Sequence, residues 1–89
     1  MIDRKIVIIN KLGMHARAAA KFVHLASRFK ARINIVKDGQ RVDGKSILGI
    51  LMLAAAQGSN IRLIVEGNDE REAFKQLEML IKDKFGEEE

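Results

Sequence analysis

Four short runs rich in β-branched residues alternate with helix-like segments along 89 residues, and this alternation restricts the chain to a mixed fold. Strands are predicted at residues 2–9, 32–37, 40–43 and 60–66, and helices at residues 16–29, 47–55 and 70–85. Asp38 and Gly39 both tolerate positive φ, so they favour a two-residue hairpin turn between the middle strands. The order βαββαβα predicts one sheet covered by one layer of helices.

The first predicted helix is amphipathic. Its apolar face carries Ala19, Phe22, Val23, Ala26 and Phe29. Its opposite face is basic and carries Arg17, Lys21, His24 and Arg28. This pattern predicts a helix with one buried side and a positively charged outer stripe.

Polar residues mark the ends of the other two helices. Ser46 is a favourable N-cap for the second helix, which Gly58 is expected to end. Asp69 and Glu72 have the spacing of a capping pair for the third helix. Within that helix, Glu78 and Lys82 are predicted to pair across one turn.

Composition indicates one globular domain over residues 1–89, since 47% of the residues are hydrophobic. The chain has no cysteine, which excludes disulfides and thiolate metal sites. The apolar stretch at residues 47–56 is about half as long as a membrane helix requires. We therefore expect a cytoplasmic monomer without a metal or cofactor. Its net charge of +4 suits acidic protein partners or a phosphate-bearing ligand.

The segment Gly13-Met14-His15-Ala16-Arg17 carries the strongest indication of chemistry. One interpretation is a histidine that merely begins a helix. The alternative is a phosphoryl acceptor, because the helix start and Arg17 both favour the neutral, nucleophilic imidazole. The N–H groups of Ala16, Arg17 and Ala18 can bind phosphoryl oxygens, and the Arg17 guanidinium can stabilise a charged transition state.

Three segments resemble the HPr family, the histidine-containing phosphocarriers of the phosphoenolpyruvate-dependent sugar phosphotransferase system. Residues 10–19 (NKLGMHARAA) are similar to its active-site segment, and residues 43–54 (DGKSILGILMLA) to its regulatory-serine segment. Residues 66–73 (EGNDEREA) resemble its junction between the last strand and the last helix. The resemblance covers essentially the whole chain without insertions.

The resemblance implies an α+β fold, an open-faced β-sandwich with four antiparallel strands and three helices on one face. It implies that Nδ1 of His15 accepts a phosphoryl group from phospho-enzyme I and passes it to enzyme IIA, while Arg17 contacts the phosphoryl oxygens. Such a protein is a carrier rather than an enzyme. The chain departs from the family at Ala18, where many members have a proline that presets the first helical turn.

Ser46 allows two interpretations, a helix cap alone or a regulatory site for a serine kinase, as the resemblance implies. The second helix is apolar all round, so either its neighbours cover it or part of it forms a docking patch. We expect partner docking at Ile47, Leu48 and Leu51, together with Lys21 and His24 of the basic stripe.

Two other functions remain open at this point. One is an HPr-like carrier in a regulatory phosphorelay for nitrogen or carbon control, which would share the chemistry of His15. The other is a small basic nucleic-acid-binding module. The absence of tyrosine and tryptophan weighs against the latter, since single-stranded nucleic acids stack on aromatic side chains.

Overall fold

The computed structural model describes residues 1–87 and contains the predicted elements in the predicted order. The strands are β1 (Ile2–Val7), β2 (Arg32–Lys37), β3 (Gln40–Asp43) and β4 (Asn60–Glu66). The helices are α1 (Ala16–Ala26), α2 (Ile47–Met52) and α3 (Glu70–Lys82), and a 3₁₀ turn follows at Lys84–Gly86. None of the helices in the described part of the chain is long and apolar enough to cross a membrane.

The four strands form one antiparallel sheet in the order β1-β4-β2-β3. Ile35 of β2 lies between Leu63 of β4 and Val42 of β3, which fixes the register at the centre of the sheet. The turn at Asp38 and Gly39 has positive φ at both residues, as predicted. The antiparallel sheet confirms the fold that the family resemblance implied.

The core lies between one face of the sheet and the helices. Because side chains alternate along a strand, Ile61, Leu63 and Val65 of β4 share the buried face. Helices α1 and α3 cover this face with buried residues at helical spacing: Ala19, Phe22, Ala26, Ala73, Leu77 and Ile81. On the opposite face of β4, Arg62 and Glu66 are exposed, although Ile64 between them is buried.

Helices α1 and α2 end earlier than their apolar patterns predicted. Helix α1 stops at Ala26 rather than residue 29, because its last turn tightens into a hydrogen bond from Phe29 N–H to Ala26 O (3.1 Å). Helix α2 stops at Met52, where Ala54 takes a left-handed backbone conformation with φ +49°. The predicted stop at Gly58 was therefore wrong.

The predicted capping pair of Asp69 and Glu72 is also wrong. The Asp69 carboxylate makes no capping bond and instead accepts the N–H groups of Lys30 (2.8 Å) and Ala31 (2.9 Å). It thereby holds the connection between α1 and β2 against the start of α3. Near the end of α3, the predicted pair of Lys82 and Glu78 is present at 3.5 Å.

Helix α3 ends at Lys82, and a left-handed turn replaces its predicted last turn. Lys84, Phe85 and Gly86 have φ of +57°, +55° and +73°. The turn carries the Phe85 side chain into the core, where it is fully buried. The Lys21 ammonium group donates to Phe85 O at 2.6 Å, which ties the turn to α1. The chain is thereby led across the N-terminal end of α1.

Candidate functional site

His15 is the N-cap residue of α1, between the loop at residues 10–14 and the first helical turn. Its backbone is extended (φ −75°, ψ 177°), and its side chain makes no capping hydrogen bond. The ring is therefore not needed to begin the helix. The side chain is 26% exposed, as expected for a residue at the surface rather than in the core.

Main-chain N–H groups surround the start of α1. The first bond of the helix runs from Ala19 N–H to His15 O at 2.8 Å, so the N–H groups of Ala16, Arg17 and Ala18 precede the ladder. Ala16 and Arg17 are exposed, whereas Ala18 is fully buried. Two of the three predicted phosphate-binding amides thus belong to surface residues next to His15.

The Arg17 side chain lies on the same helix start. It is exposed and forms no ion pair or hydrogen bond with another residue in the range 1–87. A cation of this kind beside a helix N-terminus attracts and orients an anionic group. His15, two surface amides and an available guanidinium can therefore accommodate a phosphoryl group on the imidazole.

The loop before His15 is held rigidly by buried contacts. Gly13 has φ +66°, and its Cα packs so closely against residues 55–56 that an added Cβ would lie 2.5 Å from Ala55 O. Met14 N–H donates to the same carbonyl oxygen at 2.8 Å. The Asn10 side chain is fully buried and donates to Gly13 O at 2.8 Å. These contacts fix the position from which the chain enters α1.

Glu87 is a site residue that the sequence analysis missed. One of its carboxylate oxygens contacts Nε2 of His15, and the other accepts a hydrogen bond from Asn10 Nδ2 at 2.8 Å. The Asn10 hydrogen bond and the His15 contact hold the pKa of Glu87 below its ordinary value of 4.5, against the opposing effect of burial. Only 12% of the Glu87 side chain is exposed. No local pattern signals this contact, since it joins residues 72 positions apart.

Exposed apolar side chains occur in the loop before His15 and on α2, which packs against α1. We define the apolar patch as Leu12, Ile47, Leu48 and Met52, all exposed, with Leu48 at 71% and Met52 at 63%. Leu51, which the sequence assigned to this surface, is half-buried and packs against the core. Leu51 follows buried Ile50 by about 100° of helix rotation, which places it at the edge of the buried face of α2. Leu12 also lines a shallow cleft of about 200 Å³ beside His15.

The other predicted site residues have distinct environments. His24 is exposed on the outer face of α1, whereas Lys21, although exposed, already uses its ammonium group to bind Phe85 O. Ser46 caps α2 as predicted, with its Oγ accepting Gly49 N–H at 3.0 Å. Within residues 1–87, no group of three or more histidine, aspartate and glutamate side chains is arranged to hold a metal ion.

A family model, curated relatives and a solved structure all match this chain over nearly its whole length. Residues 2–83 match the family model described as PTS HPr component phosphorylation site. The chain is 52% identical to the phosphocarrier protein HPr of Neisseria meningitidis serogroup A, over 98% of both chains. It is 48% identical to that of Cupriavidus necator, again over 98% of both chains. The crystal structure of HPr from Thermoanaerobacter tengcongensis superposes with a TM-score of 0.96, at 49% identity over the full length of both chains.

Proposed function

Because the chain belongs to the HPr family and is a phosphocarrier of the phosphotransferase system, we propose that it accepts a phosphoryl group on Nδ1 of His15 and then passes this group on. The observation that carries the proposal is the position of His15. Its ring extends from the N-cap residue of α1, next to Ala16 and Arg17, where it is partly exposed and makes no capping hydrogen bond. The protein is thus phosphorylated and dephosphorylated in turn, without catalysing a reaction of its own.

The residues around His15 have separate roles in this proposal. The amides of Ala16 and Arg17 bind phosphoryl oxygens at the positive end of α1, while Ala18 packs the first turn into the core. The Arg17 guanidinium adds a cation that stabilises the charge on the phosphoryl oxygens during transfer. The partial exposure of His15 also serves phosphoryl transfer, because a carrier must present its phosphoryl group to two different partners.

The partners in this proposal are enzyme I as donor and enzyme IIA proteins as acceptors. Both would dock on the surface formed by the apolar patch, Arg17 and His24. An apolar surface with basic residues at its edge favours acidic partners, and charge attraction speeds their encounter. Lys21 adds positive charge, although its main contact is structural. The carrier would work as a monomer in the cytoplasm, with residues 1–89 forming one domain.

The relatives described above favour the sugar route over a regulatory phosphorelay, because both curated relatives are named as phosphocarrier HPr proteins. The two functions share the chemistry of His15 and differ in the enzyme I and the acceptor that exchange phosphate with the protein. Incubating the phosphorylated protein with enzyme IIA measures this difference directly. Rapid loss of phosphoryl groups to enzyme IIA supports the sugar route.

Ser46 enters the proposal as a regulatory phosphorylation site. Its hydroxyl lies at the start of α2, directly before Ile47 and Leu48 of the apolar patch. A phosphate there would place about two negative charges on the docking surface. Acidic partners would then be repelled, so phosphorylation of Ser46 would slow transfer to and from His15.

The test of the proposal uses labelled phosphoenolpyruvate and a bacterial enzyme I. Wild-type protein is expected to acquire acid-labile label, and His15→Ala to acquire none. His24→Ala is the matched control, because it removes the other imidazole of the chain from the same basic face. It should still acquire acid-labile label, because it removes a part of the docking surface and leaves the phosphoryl acceptor in place. Label retained in His15→Ala would contradict the proposal.

A further inference from the structure

Glu87 lies beside His15 because of a chain of specific contacts. Buried Phe85 and the hydrogen bond from Lys21 to Phe85 O anchor the left-handed turn after α3. From this anchor the chain reaches the loop before α1, where Asn10 donates to one Glu87 oxygen and His15 Nε2 contacts the other. Both oxygens of the carboxylate are thus engaged, which fixes its orientation toward the ring.

The contact determines which imidazole nitrogen is nucleophilic. An ionised carboxylate only accepts hydrogen bonds, so Nε2 must carry the proton when it contacts Glu87. A neutral imidazole has one N–H, and the lone pair therefore resides on Nδ1. The lowered pKa of Glu87 means that the carboxylate is ionised at neutral pH. The ring is thereby held in the form that attacks through Nδ1.

We propose that Glu87 is a positioning residue for phosphoryl transfer, which holds the Nε2–H tautomer of His15 and stabilises the positive charge that the ring acquires. The inference rests on the proposed function, since it assigns a role within the same transfer. It is comparable to the role of an acid that orients a catalytic histidine in hydrolases.

In phosphoryl transfer to His15, one bond to phosphorus forms as another breaks. The Nδ1 lone pair forms the bond to phosphorus while the bond from phosphorus to the donor's leaving atom breaks, and the leaving atom keeps that electron pair. The proton stays on Nε2, so positive charge develops on the ring opposite the Glu87 carboxylate. Onward transfer reverses these changes: the acceptor attacks phosphorus, the bond to Nδ1 breaks, and the neutral ring is restored.

If Glu87 inhibited phosphorylation by covering His15, its carboxylate would have to occupy Nδ1. Glu87 contacts Nε2, and the side chain of His15 is 26% exposed with the contact in place. The contact therefore does not occupy Nδ1. A positioning role predicts slower transfer when the carboxylate is removed, whereas a cover predicts faster transfer, so the sign of the effect separates the two.

The test compares Glu87→Ala, Glu87→Gln and the control Glu66→Gln, which removes the same charge at an exposed position at the end of β4. With enzyme I and labelled phosphoenolpyruvate, Glu87→Ala should accept phosphate about 10-fold more slowly, as expected when a histidine loses its outer partner. Glu87→Gln, which keeps a neutral acceptor, should be intermediate. Glu66→Gln should match the wild type.

Nitrogen NMR supplies a readout that a merely structural role would not change. At about pH 9, where an ordinary imidazole is neutral, wild-type His15 should show a protonated Nε2 and an unprotonated Nδ1. In Glu87→Ala the two resonances should move toward the averaged values of mixed tautomers. Equal unfolding midpoints would show that the variants are folded.

The outcomes distinguish this inference from the proposed function. If wild-type protein takes no label on His15, the proposed function and the inference both fail. If the wild type is labelled but Glu87→Ala is labelled as fast or faster, with unchanged nitrogen resonances, only the role of Glu87 is overturned. A wild-type ring that carries its proton on Nδ1 would overturn it as well.

Discussion

Replacement of Gly13 by alanine should lower stability and slow phosphoryl transfer, because this residue packs the loop at residues 10–14 against residues 55–56. A Cβ at Gly13 would lie 2.5 Å from Ala55 O and 2.9 Å from Ala56 Cα, and both atoms belong to the main chain. The φ of +66° adds the strain of a left-handed backbone, which costs about 1–2 kcal/mol for a residue with a Cβ.

Relief of the steric overlap requires the loop to move away from residues 55–56. Overpacking of this kind costs about 1–3 kcal/mol, so Gly13→Ala should lower the free energy of unfolding by about 2–5 kcal/mol in total. Displacement also disturbs the hydrogen bond from Asn10 to Gly13 O, and with it the support of His15. Transfer from enzyme I should therefore slow as well.

Alanine substitutions at two other glycines separate the cost of backbone strain from the cost of steric overlap. Gly58 has φ +88° with nothing within 4 Å of an added Cβ, so Gly58→Ala should show backbone strain alone. Gly44 has no positive φ, but its Cβ would lie 2.5 Å from Ile33 Cγ2, so Gly44→Ala should show overlap alone. Urea denaturation measures all three variants. The reasoning is refuted if Gly13→Ala is no more destabilised than Gly58→Ala.

Two further predictions concern polar contacts outside the loop. Ser46→Ala should lower the free energy of unfolding by about 1 kcal/mol, since the Gly49 N–H loses its acceptor; an unchanged thermal midpoint would count against this. The N–H groups of Lys30 and Ala31 hold the pKa of Asp69 below its ordinary value of 3.8. The ionised carboxylate therefore contributes fully to the free energy of unfolding above pH 3.8, and this contribution disappears as the pH falls through the lowered pKa. Denaturation from neutral to strongly acidic pH should therefore show a smaller acid loss for Asp69→Asn, and parallel curves would contradict the assignment.

Three of the four strands could be predicted to their ends because their signals are local, whereas β1 ends at Val7 and the predicted end at residue 9 was wrong. Residues 32–37, 40–43 and 60–66 were assigned with the observed bounds, since alternation and the turn at Asp38 and Gly39 act within a few residues. The position of His15 at the start of α1 was equally local. The glycine before it and the apolar spacing after it were enough to place the helix start.

The ends of the helices and the environment of the His15 ring depend on distant parts of the chain. Asp69 has the spacing of a cap but accepts the N–H groups of residues 30–31, because the fold brings those groups within hydrogen-bond distance of its carboxylate. Glu87 follows a glycine in an acidic terminal run, which suggests only a solvated end. Its contact with His15 exists because Phe85 is buried and turns the chain back. Such contacts follow from tertiary packing, which periodicity does not encode.

The nitrogen that carries the phosphoryl group tests the account most directly. Protein labelled with ¹⁵N in its histidines can be phosphorylated by enzyme I and studied by phosphorus–nitrogen correlation NMR. The account predicts one phosphorus atom coupled to Nδ1 of His15, with Nε2 still protonated beside Glu87. Phosphorus coupled to Nε2 of His15, or to either nitrogen of His24, would contradict it.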